Sequence, residues 1–476
     1  MRFILLVWFL ILDVVQSQSV VKTLPGFSGE LPFKLETGYI GVGQSNGVQL
    51  FYYFVESERS PRDDPLMIWL TGGPGCSGLA ALLYEIGPLR FDYAKSSAGN
   101  KPTLALNPYS WTKVANIIFL DQFAGAGFSY STTQEGYYNG DYKSIAEIYE
   151  FLRKWFRDVH PEFLPNPLYI SGGSYTGLTI PVIIQHILDD NRAGQQPQLN
   201  LKGYVLGNPL ADVTSDLNLR ITFAHGHALI SDQLYESLKK NCKGKYVNAD
   251  PANVACALDL QVYDWCVGKL FDENILEPHC RSSESHKPNT FQWARNNLGD
   301  GLEPINERTA TQLPAEPWCR EHNYILSHIW ANAKIVQEAL YVREGKKTGW
   351  MKCNISSTYA YEIMNVMDYH QNFTRTGLQA LIYSGDHDSV VPYVATEAWI
   401  ERLNISLNSE WEPWFADGQV AGYTMQYTHN SFVLTYATIK GAGHAAPEYK
   451  PQQSQAMLKR WFAYYPLLRA DQHSPS

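Results

Sequence analysis

A single serine in a turn of small residues does most to limit what this chain can fold into. The apolar residues 168–170 predict a short strand, and residues 180–188 have the pattern of a helix. Between them Ser174 follows Gly172 and Gly173, and small neighbours allow the tight strand-to-helix turn that exposes a nucleophilic Oγ. Serine beside glycine is also common in ordinary turns, so the motif alone leaves both interpretations open.

Two further polar sites follow predicted strands later in the chain. The strand predicted over 380–383 is followed by Asp386 and Asp388, and the strand over 432–439 by His444. Serine, aspartate and histidine in this order are typical of the α/β-hydrolase arrangement, in which histidine takes the serine proton and aspartate orients the imidazole. Each could instead be a turn or surface residue, but three in order favour a catalytic triad. Either aspartate could supply its acid.

A glycine-rich run after the predicted strand 66–70 offers the remaining catalytic group. Glycines at the end of a strand expose backbone N–H groups, as an oxyanion hole requires. We expect the N–H of Gly73 and the N–H of Tyr175, the residue after the serine, to form this hole. A phosphate-binding loop is set aside because the run lacks the Gly-Lys-Ser/Thr signature and the Rossmann spacing.

The alternation of apolar strands with helical segments predicts an α/β fold. Continuous apolar runs are typical of strands buried on both faces of a mostly parallel sheet. The chain is expected to begin with an antiparallel pair over 38–42 and 49–54, and to form helices over 144–159 and 180–188. Further strands are predicted over 66–70, 116–120, 168–170, 204–206, 380–383 and 432–439.

The regular pattern is interrupted between residues 211 and 350. This stretch holds helical segments, loops and most of the cysteines. We interpret it as a disulfide-linked helical cap inserted into a core that residues 18–210 and 351–476 form. Within it, residues 281–317 are polar and rich in Ser, Asn, Glu and Pro. Such a segment is expected to be an exposed loop at which proteolysis could divide the protein into two chains.

The first 17 residues have the pattern of a secretory signal peptide. Arg2 precedes an apolar stretch, and Ser17 ends a small-residue cleavage site. Roughly ten apolar residues are too few to span a membrane, so the mature protein is expected to be soluble and either vacuolar or extracellular. Sequons for glycosylation begin at Asn354, Asn372 and Asn404. A net charge of −9 without a basic run argues against a nucleic-acid partner.

Seven cysteines in an oxidising compartment predict disulfide bonds with one thiol left over. No CxxC pair or His/Cys cluster has the spacing of a zinc site. His225 and His227 could suggest a pair of metal ligands, but no third ligand accompanies them, so a structural role is expected. We therefore predict neither a metal nor another cofactor.

Several motifs together resemble the serine carboxypeptidases over nearly the whole mature chain. The segments around Ser174, Asp388 and His444 belong to this resemblance. The other matching segments are Leu-Pro-Gly-Phe at 24–27, Gly-Gly-Pro-Gly-Cys-Ser at 72–77, Leu-Asp-Gln at 120–122, Gly-Ala-Gly-Phe-Ser-Tyr-Ser at 125–131 and Asp-Gly-Gln-Val-Ala-Gly-Tyr at 417–423.

The resemblance implies more than the residue patterns do. It implies the α/β-hydrolase fold, a site without a metal, and Asp388 rather than Asp386 as the triad acid. It also leaves Cys266 unpaired. The disulfides that it implies are Cys76–Cys353, Cys242–Cys256 and Cys280–Cys319.

Two positions depart from the carboxypeptidases of the resembled family. Those enzymes carry Asn at the position of Thr71 and Glu at the position of Gly173, and both side chains hydrogen-bond the C-terminal carboxylate of the substrate. A buried carboxylate without such donors costs on the order of several kcal/mol. We therefore expect Thr71, Gly72 and Gly173 to lie against the substrate but to bind a peptide C-terminus poorly.

Thr71, Gln122 and the run Gly-Pro-Gly-Cys-Ser-Gly resemble the plant acyltransferase branch of serine carboxypeptidase-like proteins. That branch implies a 1-O-β-glucose ester as acyl donor, an acyl-enzyme at the serine, and an alcohol or amine of a specialised metabolite as acceptor. It usually carries Asp before the serine and a smaller residue at the position of Thr176. Gly173 therefore departs from this branch as well.

Three functional hypotheses follow from these motifs. The first, which they favour, is an acyltransferase that uses an acylglucose donor. The second is a serine carboxypeptidase of altered specificity. The third is a non-catalytic companion subunit that keeps the fold, although such proteins commonly lose a triad residue and this chain retains Ser174, Asp388 and His444.

Overall fold

A mixed sheet of twelve strands runs through the protein. The computed structural model describes residues 18–96, 101–280, 319–345, 349–354, 359–463 and 467. The strands are β1 (Ser19–Val21), β2 (Leu35–Val42), β3 (Val48–Val55), β4 (Leu66–Leu70), β5 (Leu89–Phe91), β6 (Leu104–Leu106), β7 (Asn116–Leu120), β8 (Tyr130–Ser131), β9 (Leu168–Gly173), β10 (Leu201–Gly207), β11 (Gln379–Gly385), β12 (Ser406–Ala416), β13 (Gln419–His429) and β14 (Phe432–Ile439).

The centre of the sheet is parallel and its two sides are antiparallel. Six neighbouring strands, β7-β4-β9-β10-β11-β14, run in the same direction. The series β1-β2-β3 extends one side and β13-β12 the other, while β8 pairs with β3 and β5 pairs with β6 in a separate sheet. The predicted parallel centre and antiparallel start are both confirmed.

The observed strand bounds agree best with the predicted ones where the sequence has continuous apolar runs. Strands β4, β7 and β14 have the predicted bounds. Strand β9 is longer than predicted, because Ser171, Gly172 and Gly173 continue to pair with β10. The hairpin β12–β13 was not predicted, since most side chains of β12 are exposed and its sequence lacks an apolar run.

Helices cover both faces of the sheet. Ile148 and Ile183 belong to the core on one face, and Met457 with Trp69 to the core on the other. The helices are α1 (Gly78–Ala80), α2 (Asp141–Lys154), α3 (Thr176–Arg192), α4 (Val213–Asn218), α5 (Arg220–Gly226), α6 (Asp232–Cys242), α7 (Val254–Val267), α8 (Arg320–Asn332), α9 (Lys334–Ala339), α10 (Met367–Phe373), α11 (Tyr393–Arg402), α12 (Ala446–Tyr449) and α13 (Pro451–Phe462).

The stretch predicted as a cap contains helices α4 to α9. Ile221, Ile230 and Leu238 form part of a small core of its own, separate from the two cores of the sheet. The later helices behave differently, because Trp330 of α8 and Val336 of α9 pack into the core on one face of the sheet. The exposed loop predicted over 281–317 lies outside the described residues.

The three implied disulfides are all formed. Cys242–Cys256 joins α6 to α7 within the small core. Cys280–Cys319 joins the two described residues that flank residues 281–318. Cys76–Cys353 joins the glycine-rich loop after β4 to the second part of the chain across a separation of 277 residues. Cys266 is exposed and unpaired.

The sequon asparagines differ in their surroundings. Asn372 and Asn404 are exposed, whereas the side-chain amide of Asn354 donates to the carbonyl oxygen of Gly125 at 3.0 Å. The predicted signal peptide, residues 1–17, lies outside the described residues. Within the described part of the chain, no helix is both long and apolar enough to cross a membrane.

Candidate active site

Ser174 occupies the turn between β9 and α3. Its φ of 58° lies in the left-handed region, which residues other than glycine rarely adopt and which is typical of the strained turn that presents a nucleophile. Its backbone N–H donates to the carbonyl oxygen of Gly207 at 3.0 Å. Gly72 has to be a glycine here, because a Cβ would lie 2.7 Å from the Cβ of Ser174.

His444 lies between Ser174 and Asp388. The Ser174 hydroxyl donates to Nε2 of His444 at 2.7 Å, and Nδ1 of His444 donates to Oδ2 of Asp388 at 2.7 Å. Burial opposes protonation of His444, but the Asp388 carboxylate raises the pKa of the imidazole above its usual value. The three groups therefore form a continuous chain through which a serine proton can pass to the imidazole.

The carboxylate of Asp388 is fully buried and well supplied with donors. It accepts hydrogen bonds from Asn208 Nδ2 at 2.8 Å and from the backbone N–H groups of Val390 and Val391 at 2.7 and 3.2 Å. These bonds fix its orientation toward His444.

Asp386, the other candidate acid, points elsewhere. Its carboxylate accepts from Nδ1 of His387 and from the N–H of Gly441, both at 2.6 Å. The structure thus brings Asp388, and not Asp386, to His444.

The glycine-rich loop and the start of α3 lie on either side of Ser174. Gly73 has a φ of 116°, a left-handed value that favours glycine. Among the described residues, the N–H groups of Gly73 and Tyr175 make no hydrogen bond within the protein. Tyr175 also precedes the first residue of α3, where the positive end of the helix dipole favours negative charge. Both N–H groups are therefore available to an oxyanion.

The ring of Tyr175 is held by an aspartate that sequence reasoning missed. Its hydroxyl donates to Oδ1 of Asp141 at 2.6 Å, and the hydroxyl of Tyr359 donates to the same atom at 2.9 Å. Oδ2 of Asp141 accepts from the N–H groups of Glu362 and Ile363 at 2.7 and 2.8 Å. No local signal marks Asp141, because its partners are far away in the sequence.

The two positions that depart from the resembled carboxypeptidases have distinct surroundings. Thr71 is buried, its carbonyl oxygen accepts from Nε2 of Gln122, and its hydroxyl has no hydrogen-bond partner among the described residues. A Cβ at Gly173 would lie 3.0 Å from the carbonyl oxygen of Gly207, with no other non-neighbouring atom closer. Position 173 thus carries no acid, and a side chain there would press on the Gly207 carbonyl.

Comparison with known proteins places the chain in a family. Residues 25–464 match the family model described as serine carboxypeptidase. The chain belongs to the serine carboxypeptidase family. Serine carboxypeptidase-like 19 of Arabidopsis thaliana is 46% identical, over 97% of this chain and 98% of that protein. Serine carboxypeptidase-like 1 of the same plant is 45% identical, over 96% of each.

A solved structure supports the fold of this chain. A prohormone-processing carboxypeptidase from Saccharomyces cerevisiae superposes with a TM-score of 0.69 over 91% of each chain, at 20% sequence identity. At that identity the likeness concerns the fold alone. The α/β-hydrolase fold expected from the sequence is confirmed.

The carboxyl of Glu85 is a second polar group that the sequence patterns did not reveal. Burial raises the pKa of its carboxyl to about 7, Glu448 adds to the rise, and the positive charges of Lys352 and His444 oppose it. Among the described residues its carboxyl makes no hydrogen bond within the protein. The signal available in the sequence was one acid in the otherwise apolar segment 79–86.

The described residues offer one group with metal-ligand geometry, Cys280, Cys319 and His322. Both sulfurs are used in a disulfide, so they cannot act as thiolate ligands. The two histidines considered from the sequence have protein partners instead. His225 lies 2.8 Å from a carboxylate oxygen of Asp232, and Nδ1 of His227 donates to the carbonyl oxygen of Phe223 at 3.0 Å.

Proposed function

We propose that this protein is an acyltransferase that moves an acyl group from a 1-O-β-glucose ester through Ser174 to an alcohol or amine. The acceptor is a small specialised metabolite, and no cofactor takes part. Family membership supports serine acyl chemistry in general, whereas the direction toward transfer is our inference from the residues beside the serine.

The geometry supports a two-step reaction. His444 takes the proton of Ser174 while Oγ attacks the ester carbonyl of the donor, and the N–H groups of Gly73 and Tyr175 bind the developing oxyanion. The imidazolium, which Asp388 stabilises, then returns the proton to the leaving glucose oxygen. In the second step His444 takes the proton of the acceptor hydroxyl or amine while the acceptor attacks the acyl carbonyl. The imidazolium then gives that proton to Ser174 Oγ as the acyl–serine bond breaks.

The observation that carries the proposal is the pairing of an intact Ser174–His444–Asp388 chain with an acid-free position 173. Glycine has no side chain that could donate to a peptide carboxylate, and Thr71 offers a hydroxyl in place of a carboxamide. An uncharged ester donor does not need these donors. The loss of the pair therefore weakens peptide binding far more than the binding of an acyl sugar.

The test uses the purified glycosylated protein with 1-O-acylglucoses and a panel of alcohol and amine acceptors. We expect glucose release together with an acylated acceptor, and neither product from Ser174→Ala. Release of glucose without transfer to any acceptor would contradict the proposal. Labelling with a fluorophosphonate separates the companion-subunit hypothesis, which requires that Ser174 is not labelled.

One observation favours a serine carboxypeptidase as the second candidate. Glu85 has a pKa of about 7, so below that pH its carboxyl is protonated and able to donate a hydrogen bond to a substrate carboxylate. Blocked dipeptides distinguish the two functions at about pH 5. The acyltransferase proposal predicts little or no release of the C-terminal residue, and efficient release would favour the peptidase.

The cellular setting is part of the same proposal. The disulfides fit the secretory pathway, and we infer a vacuolar or extracellular site after removal of residues 1–17. Asn372 and Asn404, both exposed, are the favoured glycosylation sites, while Asn354 uses its side-chain amide internally. Proteolysis within 281–317 would give a two-chain form.

A further inference from the structure

A segment of the cap holds the loops that carry two of the three triad residues. The backbone N–H of His444 donates to the carbonyl oxygen of Glu273 at 2.7 Å, and the N–H of Ser389 donates to that of Asp272 at 3.0 Å. Ser389 directly follows Asp388. The position of the imidazole and of its aspartate therefore depends on where this cap segment lies.

Arg320 fixes the short helix that follows His444. This arginine begins α8, and its Nη1 donates to Oε1 of Glu448 in α12 at 3.0 Å. Its guanidinium carbon also lies 4.1 Å from the ring centroid of Tyr449. The Glu448 carboxylate is 7% exposed and the Arg320 side chain 13% exposed, so the ion pair acts where water screens it little.

The same guanidinium holds the cap segment. Nε and Nη2 of Arg320 donate to the two carboxylate oxygens of Glu277 at 2.7 and 2.6 Å. A bidentate pair with one acid and a third bond to another needs the planar fork of arginine, which lysine lacks. Arg320 thus joins the segment that touches the triad loops to the helix that follows the histidine.

We propose that Arg320 is a positioning residue that keeps the His444 imidazole aligned between Ser174 and Asp388. This inference rests on the serine chemistry proposed above. Arg320 acts through Glu448 and α12 and does not itself contact the reacting atoms. Because misplacement of a catalytic group by about 1 Å can cost roughly 100-fold in rate, release of α12 should misalign the His444 imidazole and slow the reaction of Ser174, although all three triad residues are still present.

The experiment measures the rate at which a fluorophosphonate labels Ser174 in the full-length glycosylated protein, as a function of pH. For Arg320→Gln we expect labelling to slow by about 10- to 100-fold. We also expect a lower apparent pKa in the pH profile, because an imidazole that moves away from Asp388 loses the neighbour that raises its pKa. Glu448→Gln should change both readouts in the same direction, and Arg320→Lys less than Arg320→Gln.

Arg402→Gln is the matched control. It breaks another ion pair between core and cap, the 2.9 Å contact of Arg402 with Asp212, which does not touch the triad loops. Its labelling rate and pH profile should equal those of the wild type.

Two results would overturn the role of Arg320. One is wild-type labelling by Arg320→Gln with an unchanged pH profile. The other is a labelling rate that falls only in proportion to the fraction of folded Arg320→Gln protein, as thermal unfolding measures it, again with an unchanged pH profile. If the wild type is not labelled at all, the proposed function itself fails. This failure is distinct from a failure of the role of Arg320, because it is seen in the wild type before any variant is compared.

Discussion

At the scale of single residues, our proposal assigns the choice of substrate to position 173. Gly173 lies one residue before Ser174 and contributes no side chain to the site. Its backbone does not have a left-handed φ, and a Cβ would meet only the carbonyl oxygen of Gly207, at 3.0 Å. A side chain there therefore requires the Gly207 carbonyl, which also accepts from the N–H of Ser174, to give way by a few tenths of an ångström.

We predict that the double substitution Thr71→Asn and Gly173→Glu increases carboxypeptidase activity. The pair restores two donors for a substrate carboxylate, and a hydrogen bond to a charged group contributes about 1.5–3 kcal/mol. Release of the C-terminal residue from blocked dipeptides at about pH 5 should then rise at least about tenfold.

Thr71→Asn with Gly173→Ala is the control for this pair. Alanine introduces the same Cβ contact with Gly207 but no carboxyl group. Equal peptidase rates for the Ala and Glu versions would show that position 173 does not select between the substrates.

At the scale of elements, Asp141 ties the start of α2 to the turn that carries the nucleophile. It accepts four hydrogen bonds from Tyr175, Tyr359, Glu362 and Ile363 and is fully buried. We predict that Asp141→Asn lowers the free energy of unfolding by about 2 kcal/mol, because the amide lacks the charge that strengthens these bonds. Denaturant unfolding followed by fluorescence measures the change.

Tyr359→Phe provides the comparison for Asp141→Asn. It removes one of the four bonds and keeps the carboxylate, so a loss of only about 1 kcal/mol is expected. If Asp141→Asn were no more harmful than Tyr359→Phe, the carboxylate would not hold the turn.

These elements also show how far the sequence could predict the fold and the site. The apolar strands β4, β7 and β14 were predicted with their bounds because burial on both faces leaves a continuous hydrophobic run. The residues at strand ends pointed to Ser174, His444 and either Asp386 or Asp388, and the family resemblance selected Asp388. The hairpin β12–β13 was missed because most of β12 is exposed and lacks an apolar run. Asp141 was missed because its partners are distant in the sequence, and Glu85 was missed although it is the one acid in the apolar segment 79–86.

At the scale of the whole molecule, several buried carboxyls titrate near neutral pH. Burial is the main cause that raises the pKa of Glu85, Glu147, Glu397 and Asp216 to about 7 and that of Asp264 to about 6. An unfolded carboxyl has a pKa of about 4. Between about pH 4 and 7 these five carboxyls therefore bind more protons in the folded protein than in the unfolded chain, and their contribution to stability falls as the pH rises. His370, whose pKa burial lowers to about 3, acts in the opposite direction, but it is one group against five.

We predict that the thermal unfolding midpoint is higher at about pH 5.5 than at about pH 7.5. The raised pKa of His160 acts in the same direction, because its contribution is lost as the pH rises through that pKa. Differential scanning fluorimetry across this pH range provides the measurement. A midpoint that rises with pH would contradict the prediction.

Glu147→Gln tests the same prediction at one group. Glu147 is 4% exposed and lies 3.6 Å from Lys143, away from the triad. The glutamine does not titrate, so the difference between the two midpoints should become smaller in this variant. An unchanged difference would remove Glu147 from the set of responsible carboxyls.

The disulfide Cys76–Cys353 also has a consequence for biosynthesis. Its partners are 277 residues apart, and at about 5–20 residues per second a ribosome needs roughly 15 to 55 s to synthesise that length. The glycine-rich loop that carries Gly73 therefore stays without this covalent link to the second half of the chain until residue 353 has been made. A chain interrupted before that point can form the turn at Ser174 but cannot tie the neighbouring loop in place.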